Sequence, residues 1–458
     1  MRSLVIPLLL ASALRLGAQV RDASQPVVLI SIDGLKPEYV LDADRYRLKI
    51  PHLRALLARG AHASGVTGVV PTVTYPSHTT LVTGVAPARH GIITNNTFDP
   101  FNRNQGGWYW YASDIRVPTL WDAVMDAGRT TANVHWPVTV GARITWNLPQ
   151  YWRTGEADDR KLIRALSTPA LYDAMEREVG LPFADGIDES IEGDERRALF
   201  AARMIESRRP ALMLAYFTAL DHEQHGSGPF SAAALSTLER IDAIVGRMTA
   251  AATRAYGADA VIAVVSDHGF RRTSRSLNLI HALRTSGLVD YPPGVDDKPS
   301  AWRATVWPGG GSAAIVLRDT TDITTRDRVG ALLSTLAADS ANGIDQVIDG
   351  PELKRRGGFP GAAFLVSLRT GYTFGYNSKG PLVADVSVGG MHGYLPDSPD
   401  MRASFFIAGR GIPAGRNLGL IDQRSIAPTL AKVLGVRIGA ELDGVFPGAV
   451  VLAPSTPP

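Results

Sequence analysis

Six side chains able to hold a hard or borderline cation stand at four places: Asp33 in "ISIDG", Asp221 and His225 in "LDHEQH", Asp267 and His268 in "VSDHG", and His392 in "GGMHGY". Taken singly, each has a plainer reading, since an Asp after a strand often caps a turn and a lone His often just packs. Together, three Asp and three His divide evenly into two sets of three. Three protein ligands per ion leave positions for a hydroxyl, a substrate and water, as in catalytic zinc sites and unlike four-ligand structural ones. Two ions about 3.5–4 Å apart can polarise a phosphoryl oxygen, ionise a hydroxyl and stabilise a leaving oxygen. A nucleophile is on offer in "PTVTYPSHTTLVTG", residues 71–84, which is crowded with hydroxyls. A threonine is a weak nucleophile until a metal or base ionises it. Thr74 is the best placed: it precedes Tyr75 and Pro76, where a helix is predicted to begin with Thr74 as N-cap and proline in the first turn. A helix N-terminus also offers N–H donors and a favourable dipole to a phosphoryl group.

The elements that must position these residues are legible as apolar runs. "PVVLISIDG", "ALMLAYFTALD" and "ADAVIAVVSDHG" read as buried strands that each end in a candidate ligand, with helical patterns such as "IPHLRALLARG" and "LERIDAIVGRMTAAATRA" between them. Alternating strands and helices predict an α/β fold, a mostly parallel central sheet with helices on both faces. Ligands of such sheets sit beyond the carboxyl ends of the strands, where these acids fall. The D-x-x-x-H spacing of Asp221 and His225 puts both on one face if a helix turn starts there. The glycines around His392 let the backbone approach a site closely. Between Gly269 and Gly390 the spacing loosens into Gly/Pro-rich pieces such as "WPGGGSAA", which predicts an inserted subdomain over roughly residues 275–385.

Residues 1–19, "MRSLVIPLLLASALRLGAQ", have a leading Arg2, a short apolar run and a small-residue exit. That layout predicts a cleaved signal peptide, export to the periplasm or the exterior, and a single catalytic domain over 20–458, with no stable membrane anchor. Removing Arg2 and Arg15 leaves 45 basic against 44 acidic residues, so the mature chain is almost neutral. With no run of five or six like charges, nucleic-acid polymers are not the expected partner. The absence of cysteine excludes disulfide staples and thiolate metal sites, leaving His, Asp and oxygen donors. Oligomeric state is not readable from these features.

The pieces "ISIDGLKPEYV", "PTVTYPSHTTLVTGVAPARHGIITNNTFDP", "YFTALDHEQHGSGP", "VVSDHGF" and "GGMHGY", in that order, resemble the type I phosphodiesterase/nucleotide pyrophosphatase branch of the alkaline phosphatase superfamily. The resemblance implies an alkaline phosphatase-like core and two Zn2+ ions, one on Asp221, His225 and His392, the other on Asp33, Asp267 and His268, with Thr74 as the nucleophile that contacts this second ion. It implies that Asn95, in "ITNNTFDP", binds a phosphoryl oxygen together with the Tyr75 N–H. It also places Tyr75 and Tyr216 where nucleotide-acting members line a base pocket, with Tyr151 and Trp152 as alternatives for the second stacking position. The expected partner is a small nucleotide-like phosphodiester. The basic residues of "DDRKLIR" stand in the wrong order for the Lys-x-Arg pair of monoester-selective relatives, and the sulfatase C/S-x-P-x-R motif does not fit Thr74–His78. Lipid-headgroup diesters use the same core with a different pocket and stay open. A non-catalytic binding protein on this fold is disfavoured, because all six ligands and the hydroxyl are present.

Overall fold

A computed structural model describes residues 24–104, 107–152, 157–295, 298–439 and 441. The signal-peptide segment lies outside the described residues. The central sheet has eight strands: β1 Val27–Ile32, β2 Ala61–His62, β3 Thr131–Val134, β4 Trp146–Leu148, β5 Leu212–Phe217, β6 Val261–Val265, β7 Phe405–Gly409 and β8 Arg416–Asn417. Their order is β8-β2-β7-β6-β1-β5-β3-β4. β6, β1, β5, β3 and β4 pair parallel, and β7 runs antiparallel against β6 and β2.

Every residue of β1, β5 and β6 is buried, which is why their sequences read as continuous apolar runs rather than alternating ones. Alternation instead assigns residues to two cores. Val28, Ile30 and Ile32 join Met213 and Phe217 on one face, while Val27 and Leu29 join Leu212, Leu214 and Tyr216 on the other. Six helices matter below: α1 Pro51–Arg59, α2 Thr74–Thr83, α3 Ile191–Arg208, α4 Ala219–Ser227, α5 Ala232–Tyr256 and α6 Ile426–Leu434. The long helices α3 and α5 cover the first face through residues such as Phe200, Ile205, Ile241 and Val245. α2 and α6 cover the second through Leu81, Val82, Ile426 and Leu430. Each fully buried Val, Leu or Ile contributes about 1.5–3 kcal/mol, so two such cores hold the sheet firmly behind its carboxyl ends.

The stretch with loosened spacing builds its own sheet. Ala304–Gly309, Ser312–Leu317, Ile344–Asp349 and Phe364–Leu368 pair antiparallel, with a helix over Ile323–Ala338. Ile315, Val329, Leu333 and Val366 share a separate apolar cluster with the neighbouring elements. A three-stranded sheet of Arg271–Leu277, Gly371–Phe374 and Val383–Met391 joins this part to the core, and its last strand runs straight into His392.

Candidate active site

All six candidate ligands meet beyond the carboxyl ends of the central strands. Asp33 directly follows β1, Asp267 and His268 follow β6, and Asp221 and His225 lie on α4 just after β5. They form two groups, Asp33/Asp267/His268 and Asp221/His225/His392, in each of which the ligand atoms lie within 4.8 Å of one another. The groups adjoin: the His268 and His392 rings stack with centroids 3.7 Å apart, and His268 Nε2 is 4.0 Å from Asp221 Oδ1.

The donor set fits a pair of divalent cations. Asp33 Oδ1, Asp221 Oδ1 and Asp267 Oδ2 are buried and have no hydrogen-bond partner, one oxygen from each acid. The opposite oxygens of two of them are held: Tyr216 O–H donates to Asp33 Oδ2, and the N–H groups of Gly34 and His268 donate to Asp267 Oδ1 at 3.1 and 3.0 Å. Each histidine has Nδ1 against a backbone carbonyl, His225 to Gly390 at 3.1 Å, His268 to Gly269 at 3.2 Å and His392 to Thr72 at 3.2 Å. A carbonyl can only accept, so Nδ1 carries the proton and Nε2 presents its lone pair to the site, the arrangement that orients metal-binding imidazoles. Buried polar atoms without partners are costly, and three carboxylate oxygens aimed at three imidazole nitrogens are best satisfied by cations.

The electrostatics agree. Burial, Asp221 and Asp267 push the Asp33 carboxyl well above its usual range, because neighbouring carboxylates resist a further negative charge. Burial alone would raise Asp221 too, but His225, His392 and His268 bring it down to about 2. Asp267 is likewise lowered by His268 and His78 against the effect of burial. Burial and His268 take His392 down to about 3, so it is a neutral lone-pair donor at physiological pH.

Thr74 opens α2, but Val73 occupies the N-cap position and no side chain caps the helix. The expected N-cap role is therefore corrected: the Thr74 hydroxyl turns to the ligands, 3.5 Å from His268 Nε2. Thr79 and Thr83 are engaged locally, donating to the carbonyls of Tyr75 and Thr79 at 2.8 Å. His78, which burial keeps neutral, accepts from Ser31 Oγ at 2.8 Å and donates from Nδ1 to Thr74 O at 2.8 Å, fixing the peptide of Thr74. Asn95 Oδ1 accepts from Tyr75 N–H at 2.9 Å. That N–H is thus spent on orienting Asn95 rather than left for a phosphoryl oxygen as expected, and the Asn95 amide keeps its N–H donors.

Residues 27–395 match the family described as type I phosphodiesterase / nucleotide pyrophosphatase. This chain belongs to that family. Among curated relatives, ectonucleotide pyrophosphatase/phosphodiesterase family member 3 of Rattus norvegicus is 25% identical over 280 residues, 59% of this chain and 27% of the relative. An uncharacterised pyrophosphatase/phosphodiesterase of Schizosaccharomyces pombe is 27% identical over 256 residues, 54% of this chain and 45% of the relative. The chain thus spans between about a quarter and a half of the length of these relatives. Human ectonucleotide pyrophosphatase/phosphodiesterase 5 shares the fold at TM-score 0.66 and 20% identity, over 93% of this chain and 97% of that one. The murine protein, as an inactive variant in complex with AMP, superposes at TM-score 0.64 and 20% identity over 93% of this chain and 97% of that one.

Within this phosphodiesterase-family fold, the aromatic residues are placed differently from expectation. Tyr216 is 3% exposed, on the α2-facing side of β5, with its ring against His78 and His135 and its hydroxyl on Asp33. It has no face to offer a base, and its hydroxyl instead holds the candidate ligand Asp33. Tyr75 is 1% exposed, donates to Gln150 Oε1 at 2.8 Å, and packs edge-on to Trp108 and Trp110. Tyr151 is also buried, against Trp110. Trp152, partly exposed and 4.6 Å from Trp108, lines a cavity of about 310 Å3 with Asp159, Asp185, Asp188, Glu189 and Arg160 among the other walls. Glu189 accepts from His222 of α4 at 3.2 Å, so the cavity adjoins the ligand helix. Trp108 and Glu189 are not legible in the sequence, where nothing in their neighbourhood marks them as site residues.

Proposed function

We propose that this chain is an exported, metal-dependent phosphodiesterase that cleaves nucleotide-type phosphodiester or pyrophosphate bonds through a phospho-threonine intermediate. Three partnerless carboxylate oxygens facing three imidazole Nε2 atoms, with the Thr74 hydroxyl at 3.5 Å from one of them, carry the reading. Asp221, His225 and His392 would hold one Zn2+, and Asp33, Asp267 and His268 the other, since oxygen and imidazole donors without thiolate suit zinc. When bound, the ions supply charge stabilisation and lower the pKa of a hydroxyl. The chain's own residues do the rest. Thr74 Oγ1 attacks phosphorus, the P–O bond to the leaving alcohol or nucleotide breaks, and water then hydrolyses the Thr74 phosphoester to regenerate the hydroxyl. Asn95, oriented by Tyr75 N–H, donates from its amide to a phosphoryl oxygen as charge grows there. The structural neighbour in complex with AMP supports a nucleoside monophosphate as the group transferred.

A specific observation favours a second reading. The Trp152 cavity is lined by four carboxylates and one guanidinium, and Arg160 is paired with Asp185. An aromatic face among acids suits a quaternary-ammonium headgroup, so choline-type phosphodiesters are the alternative substrate. A non-catalytic role has no observation behind it.

The decisive experiment is turnover of bis-p-nitrophenyl phosphate by wild type and Thr74→Ala, with mass spectrometry of acid-quenched wild type. The nucleophile predicts loss of at least about a thousandfold in kcat, by analogy with removal of other covalent nucleophiles, and a phosphorylated peptide containing Thr74. A variant that keeps most of its activity would remove Thr74 from the mechanism.

A further inference from the structure

Helix α4 carries two of the six ligands, yet its own N-cap residue does not cap it. Thr218 has an αR backbone and makes no side-chain cap bond, because its hydroxyl accepts instead from Arg197 Nη2 at 2.9 Å. The helix N-terminus is satisfied from another element. Asp194, near the start of α3, accepts from Thr218 N–H on Oδ1 at 3.0 Å and from Ala219 N–H on Oδ2 at 2.9 Å. A carboxylate is the favoured partner at the positive end of a helix. Asp194 and Arg197 are both fully buried and form an ion pair one helical turn apart. Arg197 extends the clamp further: Nη1 donates to the carbonyls of Gly186 and Asp188, the latter at 2.6 Å. Those carbonyls belong to the loop that bears Glu189, whose side chain returns to His222 on α4.

One buried pair thus grips both the ligand helix and the loop beside it. Asp221 is the third residue of α4, and His225 lies one turn on, so a shift of the helix start moves both donors together. We propose that Asp194 and Arg197 are positioning residues for the cation held by Asp221, His225 and His392, setting the helix start and the wall of the adjoining cavity together. The proposal rests on the metal-dependent reading above. It assigns the burial of two opposite charges to ligand placement rather than to fold stability, for which buried pairs are weak contributors.

The chain contains a matched control. Asp242 is also buried, and it accepts from the N–H groups of His52 and Leu53 at 3.0 and 2.7 Å, capping α1, which carries no ligand. Asp194→Asn, Asp242→Asn and the near-isosteric Thr218→Val should be compared by thermal unfolding and by two-step competition for Zn2+ against a chromogenic chelator. Outer partners of ligands are worth about 10–100-fold in metal affinity. Asp194→Asn should weaken one of two Zn2+ steps by that factor and leave the other in place, and Thr218→Val should weaken the same step less. Asp242→Asn should lower the unfolding temperature without moving either step. Equal metal affinity in Asp194→Asn, Thr218→Val and wild type, or an equal loss in Asp242→Asn, would overturn the positioning role. If Asp194→Asn does not fold, Thr218→Val against Asp242→Asn decides by the same criterion. A wild type that binds no Zn2+ at all would instead overturn the metal reading.

Discussion

Tyr216 shows what a single hydroxyl can do in this site. Its ring belongs to the apolar cluster under α2, but its O–H ends on Asp33, whose other oxygen has no partner. The bond favours the ionised form of Asp33, against burial and the charges of Asp221 and Asp267, which all favour the protonated one. Tyr216→Phe keeps the ring and removes only the donor. A buried carboxylate that loses its donor holds its proton more tightly, and the proton competes with a cation for it. The expected outcome is a shift of metal loading to higher pH, with Zn2+ affinity at one step falling about 10–100-fold. Selectivity between nucleotide and simple aryl diesters should stay as in wild type. A changed selectivity with unchanged metal affinity would return Tyr216 to the pocket wall.

At the scale of elements, five of the six candidate ligands were legible at the ends of apolar runs, because a strand that ends in an acid announces both the element and a candidate site. It could not assign Tyr216, since β5 is buried on both faces and its apolar run hides which side each residue takes. It misassigned Thr74 by one position, because Thr74 and Val73 both precede the proline and only backbone geometry separates N-cap from first helical residue. Asp194 and Arg197 were invisible, as their partners lie 24 and 21 residues away. The glycines before His392 were legible and have a specific cause. A Cβ at Gly389 would lie 2.3 Å from His225 O, and one at Gly390 2.6 Å from Gln224 O, so the strand passes flush against α4. Gly389→Ala must push apart the two elements that present His225 and His392. It should lower kcat/KM by about a hundredfold or more, the scale of a misplacement of about 1 Å. Gly226, on α4 itself, faces open space: a methyl added there would meet nothing within 4 Å. Gly226→Ala should leave activity intact and raise stability by up to about 1 kcal/mol through helix propensity. Activity assays and thermal unfolding of the two variants check both statements, and an active Gly389→Ala would show that the close approach is not needed.

For the whole molecule, the distribution of charge decides between diester and monoester. A monoester brings an additional negative charge on an unshielded oxygen, and enzymes that prefer it place a guanidinium or ammonium there. After burial, the strongest influences on Asp33, Asp221 and Asp267 are one another, Tyr216 and the histidines. Lys36, three residues beyond Asp33, turns its ammonium to Asp400 at 3.3 Å and to the carbonyl of Phe270. Arg197 is committed to Asp194, Thr218 and two loop carbonyls. Glu189, beside the ligand helix, adds negative charge on the side of the cavity. A charge-assisted hydrogen bond is worth about 1.5–3 kcal/mol, or roughly ten- to a hundredfold, and among the described residues neither Lys36 nor Arg197 is free to give one to the third oxygen of a monoester. A diester presents a second ester group instead, which can lie along Trp152, and binding of that remote group helps to place phosphorus for attack. The expected outcome is a kcat/KM for the 4-nitrophenyl ester of thymidine 5′-monophosphate about a hundredfold or more above that for 4-nitrophenyl phosphate. Trp152→Ala should narrow the gap by slowing the nucleotide ester, and a 4-nitrophenyl phosphocholine arm reports whether the acidic cavity prefers a cationic headgroup. Equal rates on monoester and diester would assign the chain to monoester chemistry, despite the acidic surroundings of the candidate metal site.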